Sequence, residues 1–264
     1  MKVVLFCGGL GMRLRDYSDK IPKPMVEVGH RPILWHVMKY YAHFGHKDFI
    51  LCLGYRSETI KNYFINYEEF LSNDFVLSDG GRKVSLLRTD IHDWKISFVD
   101  TGYDSSIGER LRRVRRHLEG EEIFLANYSD NVTDFYLPTL IDDVRGSDAV
   151  AAFLAIPPPY SFHVADIQGD GSVSSIRDTA SADMWINGGY FVLRQEIFDY
   201  LRPGEELVVE AFSRLIAEQR LIATKHTGFW QNMDTFKDKA QLDELHAKGR
   251  APWQVWNVEA EESP

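Results

Sequence analysis

Cys7 and Cys52 are the only cysteines in the 264-residue chain. Two thiols so far apart exclude a disulfide framework and a cysteine-rich zinc site. No apolar run approaches the roughly 18 residues of a membrane helix, and no signal-peptide pattern opens the sequence, so a cytoplasmic protein without membrane contact is expected. Positive charge is also scarce. With 30 Lys and Arg against 39 Asp and Glu, the net charge is −9, which argues against a nucleic-acid partner, because backbone phosphate binding needs a basic surface. The one basic run, Arg110-Leu-Arg-Arg-Val-Arg-Arg116, would spread its arginines around a helix and reads as a solvated face. His43 and His46 lie three apart without cysteines or an H-E-x-x-H frame, and read as packing or surface residues. Linkers, internal repeats and low-complexity runs are missing too, which leaves room for one large domain with a well-buried core.

What is present concentrates in the opening stretch, MKVVLFCGGLGMRLRDYSDKIPKPM. Val3 to Phe6 is a short apolar run that stops at Gly8-Gly9-Leu10-Gly11, the pattern of a buried parallel strand ending in a tight turn. Glycines let backbone amides converge on one point and let a ligand approach, which suits phosphate oxygens. Arg13 adds a planar fork of donors and Lys23 a compact ammonium, a pairing suited to a polyphosphate that gains charge as a bond breaks. The dinucleotide fingerprint is excluded, since Leu14 stands where its third glycine would fall, and so is the Walker loop, since no Gly-Lys-Ser/Thr follows.

Beyond Pro24 the chain alternates. A helix is expected from Ile33 to Phe44, a strand over 49–53, a helix from Ser57, a strand over 94–99 and then the arginine-rich helix. Further strands are expected over 122–130, 149–156, 185–193 and 221–225, a hairpin around Gly169-Asp-Gly171, and helices over 138–144, 210–218 and 236–245. This βαβα order implies a mainly parallel sheet with helices on both faces. Ligands of such sheets bind beyond the carboxyl ends of the strands. Asp130 and Asp234 each close an apolar segment there, although a lone aspartate at a strand end is more often a helix cap. Asn187-Gly-Gly189 places glycines inside a strand, where something approaches the backbone.

The opening signature resembles that of the sugar-nucleotide pyrophosphorylases, the nucleoside-diphosphate-sugar nucleotidyltransferases, and most of all their branch that transfers cytidylyl groups to glucose 1-phosphate. Further along, the likeness is carried by Ile33-Leu-Trp-His36, Asp100-Thr-Gly102, Asp166-Ile-Gln168, Ile186-Asn-Gly-Gly189, Gly228-Phe-Trp-Gln231, Met233-Asp-Thr235 and Ala251-Pro-Trp253. It implies a three-layer α/β/α sandwich, Rossmann-like, with a hairpin-rich acceptor insertion. Residues 1–156 would form the nucleotide half, 157–235 the acceptor half and 236–264 a C-terminal helix and tail. Gly8, Gly9, Gly11, Met12 and Arg13 would wrap the triphosphate of CTP or another NTP, with Lys23 at the reaction centre. Gly108 and Arg110 would hold the base, with Ser129 beside the nucleotide. Asp130 and Asp234 would hold Mg²⁺. A small phosphorylated acceptor would attack directly, without a protein nucleophile, in a homo-oligomeric enzyme.

The departures fall on one side. Ser129-Asp130-Asn131 replaces a Gly-Asp-Gly. Asp178-Thr179-Ala180 replaces a Glu-Lys-Pro whose lysine grips the sugar phosphate, and His163 replaces a glycine beside the sugar. Losing that lysine removes a charge-assisted contact of roughly 1.5 to 3 kcal/mol, so an altered acceptor is expected, with His163 or Arg177 supplying the cation. Asn187, Gly188 and Glu210 would complete the acceptor side. The alternatives are a uridylyl- or thymidylyltransferase, or a silent nucleotide-binding relative. A glycosyltransferase is disfavoured because Asp130-Asn-Val lacks a D-x-D.

Overall fold

The computed structural model describes residues 1–9, 21–159, 163–178 and 183–260. The expected roles of Gly11, Met12 and Arg13, and the replaced pair Thr179 and Ala180, lie outside the described residues. Seven strands form the central sheet: β1 (Lys2–Phe6), β2 (Asp48–Leu53), β3 (Lys95–Asp100), β4 (Ile123–Asn127), β5 (Ala151–Ile156), β6 (Ile186–Arg194) and β7 (Leu221–Lys225). Their order across the sheet is β7-β5-β6-β4-β1-β2-β3. All neighbours run parallel except β6, which is antiparallel to both β4 and β5.

Alternation along β1 builds the two outer layers. Val3 and Leu5 point into one core with residues of α1 (Ile33–His43), α2 (Ser57–Ile65), α4 (Leu137–Arg145) and α6 (Phe236–Ala247). Val4 and Phe6 point into the other, with α3 (Ile107–Val114) and α5 (Phe212–Ala217). A strand buried on both faces must be apolar at every position, which is why Val3 to Phe6 shows no polar alternation. The helix expected over 210–218 differs in kind: it opens as a π turn, Leu207–Ala211, before continuing as α5. Two small antiparallel pairs complete the rim above the sheet. One joins Asn131–Thr133 to Trp230–Asn232, and the other is the expected hairpin, His163–Ile167 with Val173–Asp178.

His36 sits inside the first core, its Nε2 3.0 Å from the Val28 carbonyl and its Nδ1 accepting from Trp253 Nε1 at 3.3 Å. Burial drives its pKa down to about 4. A neutral imidazole of this kind adds stability that is complete above the unfolded value near 6.5 and is lost as pH falls from there toward 4, because protons then bind the unfolded chain preferentially. The loss from His36 alone amounts to about 3 kcal/mol at most, and His46, also held near 4 by burial, acts in the same direction. Urea midpoints measured at pH 7 and pH 4.5 should therefore separate, and less so in His36→Gln. Coincident midpoints in the parent protein would refute the assignment.

Candidate active site

β1 and β4 are parallel neighbours, and the chain runs from them toward opposite edges of the sheet, from β1 to β2 and from β4 to β5. The crevice above their carboxyl ends is thus the place where such a fold receives ligands. Three pieces of chain meet there. After β1 comes Cys7-Gly8-Gly9. After β4 comes Tyr128-Ser129-Asp130. The third is the strand Trp230–Asn232, which pairs with Asn131–Thr133 so that Asn232 faces Asn131. The Met233 amide also donates to the Asp130 carbonyl at 2.9 Å. That short ladder brings together two aspartates separated by 104 positions.

Asp130 and Asp234 share one ammonium. Lys23 Nζ lies 2.6 Å from Asp130 Oδ2 and also donates to Asp234 Oδ1. Asn131 Nδ2 reaches Asp130 Oδ1 at 3.2 Å, and Asn232 Nδ2 reaches Asp234 Oδ2 at 2.7 Å. Burial works against the charge on Lys23, but the two carboxylates outweigh it and raise its pKa above the ordinary 10.5, so the ammonium persists at neutral pH. The side chain is aimed by a single 3₁₀ turn, Lys23–Met25, preceded by Pro22 and containing Pro24, with the Met25 amide donating to the Pro22 carbonyl at 2.8 Å. Proline's fixed φ leaves the turn little freedom. On the other side, Asp238 fixes Asp234: its Oδ2 accepts from the amides of Asp234 at 3.0 Å and Thr235 at 2.8 Å, within the capping box that starts α6.

Two facing carboxylates and a lysine border a cavity of about 460 Å³, whose walls also include Phe6, Gly8, Gly9, Tyr128 and the residues Ser105 to Ile107 that open α3. Arg110 lies at its base and is 3% exposed. It is the correction to the solvated reading of the arginine run, although Arg112 and Arg113 do pair with Glu109 near the surface. The Arg110 guanidinium donates to the carbonyls of Gly8 (2.9 Å), Leu53 (3.2 Å), Gly102 (2.9 Å) and Tyr103 (3.3 Å), and to the Thr101 hydroxyl (2.8 Å). One side chain therefore ties together the ends of β1, β2 and β3. Gly8 is glycine for this reason, since a Cβ there would lie 2.0 Å from Arg110 Nη1.

Ser129 is buried, with φ at +64°, a conformation that favours glycine. Its hydroxyl donates to the Phe6 carbonyl at 2.6 Å and its amide to Asn127 Oδ1 at 2.7 Å, bonds that hold a non-glycine residue in place between β1 and β4. Gly108 packs in the first turn of α3 against the Glu205 carbonyl, where a Cβ would come within 2.3 Å.

The expected acceptor residues divide. Asn187 and Gly188 lie near the start of β6, Asn187 donating at 3.3 Å to the hydroxyl of Tyr128 in the cavity wall and Gly188 accepting from Trp230 Nε1 at 2.8 Å. Glu210 accepts from the Glu206 amide at 2.9 Å. His163 and Asp178 face each other across the exposed hairpin, where Arg177 is engaged by Asp166 at 2.8 Å. Sequence reading missed Tyr128, Glu206, Asn232 and Asp238. Only Asp238 carried a signal, because Thr235-x-x-Asp238 is a capping-box spacing. Among the described residues no helix is long and apolar enough to cross a membrane.

Comparison with known proteins places the chain in a family. A family model described as nucleotidyl transferase matches residues 2–245. The chain is 40% identical over 258 residues to the glucose-1-phosphate cytidylyltransferase of Salmonella typhi and 39% identical to that of Salmonella typhimurium, in each case covering 97% of this chain and 100% of the relative. Among solved structures, a UDP-glucose pyrophosphorylase from Acinetobacter baumanii superposes with a TM-score of 0.68 at 19% identity, over 98% of this chain and 97% of that one, which supports the fold. With the family model matched along most of its length and whole-chain relatives at this identity, the chain belongs to the nucleotidyl transferase family.

Proposed function

We propose that this nucleotidyltransferase moves a cytidylyl group from CTP to a small phosphorylated acceptor, releasing pyrophosphate. The observation that carries the reading is the convergence of Lys23, Asp130 and Asp234 on one edge of the nucleotide-sized cavity. The base preference is supported by the two relatives of 40% and 39% identity, both cytidylyltransferases.

Asp130 and Asp234 fit a hard divalent cation: both ligands are carboxylates, they converge, and magnesium favours a few carboxylates plus phosphate oxygens and water over a closed protein cage. Such an ion, taken as Mg²⁺, would neutralise phosphate charge when bound. The chain's own part is positional. Lys23 holds a persistent positive charge where the α phosphate and its attacker meet, the turn at Gly8 and Gly9 exposes backbone to the phosphates, and Asn131 and Asn232 keep the carboxylates aimed. Fixed charge of this kind lowers the barrier because it needs no reorganisation as charge develops. Attack by the acceptor phosphate requires only that it be held in line.

The acceptor is read as different from glucose 1-phosphate, since Asp178-Thr179-Ala180 stands where a Glu-Lys-Pro is expected and Arg177 is paired with Asp166. A second cavity of about 260 Å³, between Pro157–Pro159 and Trp230–Asn232, offers amides and an aromatic ring and fits a hydroxylated acceptor. The exposed hairpin of Phe75–Ser78 and Lys83–Leu86, with Val76, Leu77 and Val84 open to solvent, supports a homo-oligomer. Pyrophosphate release with CTP, Mg²⁺ and a panel of sugar 1-phosphates and other phosphorylated metabolites tests the reading. Turnover with one acceptor at least tenfold above that with glucose 1-phosphate is expected, and full-rate turnover with glucose 1-phosphate would sink the altered acceptor.

A further inference from the structure

We propose that Glu206 reads the nucleobase, accepting a hydrogen bond from the exocyclic amino group of cytosine and excluding uracil. The inference rests on the cytidylyltransferase reading and goes beyond it by naming the group that discriminates.

The cavity has two ends. Lys23, Asp130 and Asp234 occupy one, where the phosphates belong. The opening of α3 and Glu206 are the other, and Tyr128 lies between, its hydroxyl pKa raised to about 12, chiefly by burial, and also by the charges of Glu206 and Asp130. With phosphates at the lysine end, the base falls at the Glu206 end.

Glu206 is held there by its surroundings. The Ser106 hydroxyl donates to the neighbouring Glu205 carbonyl at 2.7 Å, Gly108 leaves room for that carbonyl against α3, and the Glu206 amide donates to Glu210 Oε2 at 2.9 Å. Its carboxylate then accepts from the Ile107 amide at 3.2 Å through Oε2. This contact changes the chemistry of the site. An open amide at the start of α3 would donate to the O4 of uracil or thymine. With Glu206 across it, the same edge presents a carboxylate, whose remaining oxygen Oε1 suits the N4 amino donor of cytosine and repels O4. A carboxylate facing a carbonyl oxygen leaves both without a donor, and a site built to receive a hydrogen bond rejects an analogue that cannot give one.

Glu206→Gln tests this while leaving the lysine end intact. Its amide oxygen can still accept from Ile107 while the amide NH₂ offers a donor to uracil O4. Calorimetric binding of CTP and of UTP, each with Mg²⁺, gives the affinity ratio without any acceptor. The parent protein should favour CTP, and Glu206→Gln should move the ratio toward UTP by about ten- to a hundredfold. Glu206→Ala should weaken CTP by about tenfold and tighten UTP, because it removes the repulsion of O4 and opens the Ile107 amide. Ratios equal in the parent and in both variants, with the parent favouring CTP, would overturn the role of Glu206 and leave the cytidylyltransferase reading standing. A parent that binds UTP as tightly as CTP would overturn both.

Discussion

Asp130→Asn is expected to lower turnover by about a hundred- to a thousandfold, the range seen when a fixed electrostatic group is removed from a transition state. The amide keeps the shape of the side chain and removes one of the two negative charges that converge beside Lys23. Asp234→Asn should do the same, and the double variant should cost much less than the product of the two, because both carboxylates act on one lysine and on the one proposed cation site. Steady-state pyrophosphate release over a Mg²⁺ titration checks this, with the Mg²⁺ requirement shifted to higher concentration in each variant. The backbone bond from Met233 to the Asp130 carbonyl does not depend on the side chain, so the fold should persist. A variant retaining more than a tenth of parental activity would remove that aspartate from the reaction centre.

Arg110→Met should destabilise the protein by about 3 to 5 kcal/mol, because the carbonyls of Gly8 and Gly102 lose their donor where Arg110 is buried. For a chain of this size that corresponds to a fall in Tm of about 10 °C. Burial lowers the pKa of the guanidinium from its ordinary value, yet arginine remains charged at every accessible pH. The fork geometry matters as much as the charge. Arg110→Lys should therefore rescue little, since three donors on one nitrogen cannot span the ends of three strands. Gly8→Ala should fall in the same direction by pushing the guanidinium aside. Differential scanning calorimetry distinguishes the outcomes, and a Tm in Arg110→Met within 2 °C of the parent would show that the guanidinium does not hold the strand ends.

These two sites mark what the sequence did and did not disclose. β7, Leu221–Lys225, is found with the bounds read from the sequence, and β1 and β2 end at the glycines that signalled them, because a buried strand is a local apolar run with a local stop. Asp130 and Asp234 were legible as strand-end residues. Their meeting was not, since it depends on two three-residue strands, Asn131–Thr133 and Trp230–Asn232, too short to show a period. Arg110 looked like one charge among several on a helix. What buries it is a set of carbonyls contributed by other strands, and backbone acceptors leave no mark in a sequence. In the sequence Gly8 stands out for its amide, whereas in the fold it is needed for the space it leaves, and Ser129 occupies a left-handed position that its hydroxyl makes tenable.

β5 and β6 are antiparallel neighbours, and Ile156, where the first ends, pairs with Ile186, where the second begins. The described hairpin between them, His163–Ile167 with Val173–Asp178, pairs with itself and not with the central sheet. Such an excursion can be lengthened, trimmed or exchanged as a cassette while the strands that anchor it stay put. On the proposed division of labour, this lets a lineage retool what receives the nucleotide without disturbing the machinery that activates it, and it makes residues 157–185 the natural segment to transplant between relatives when a new recipient is wanted.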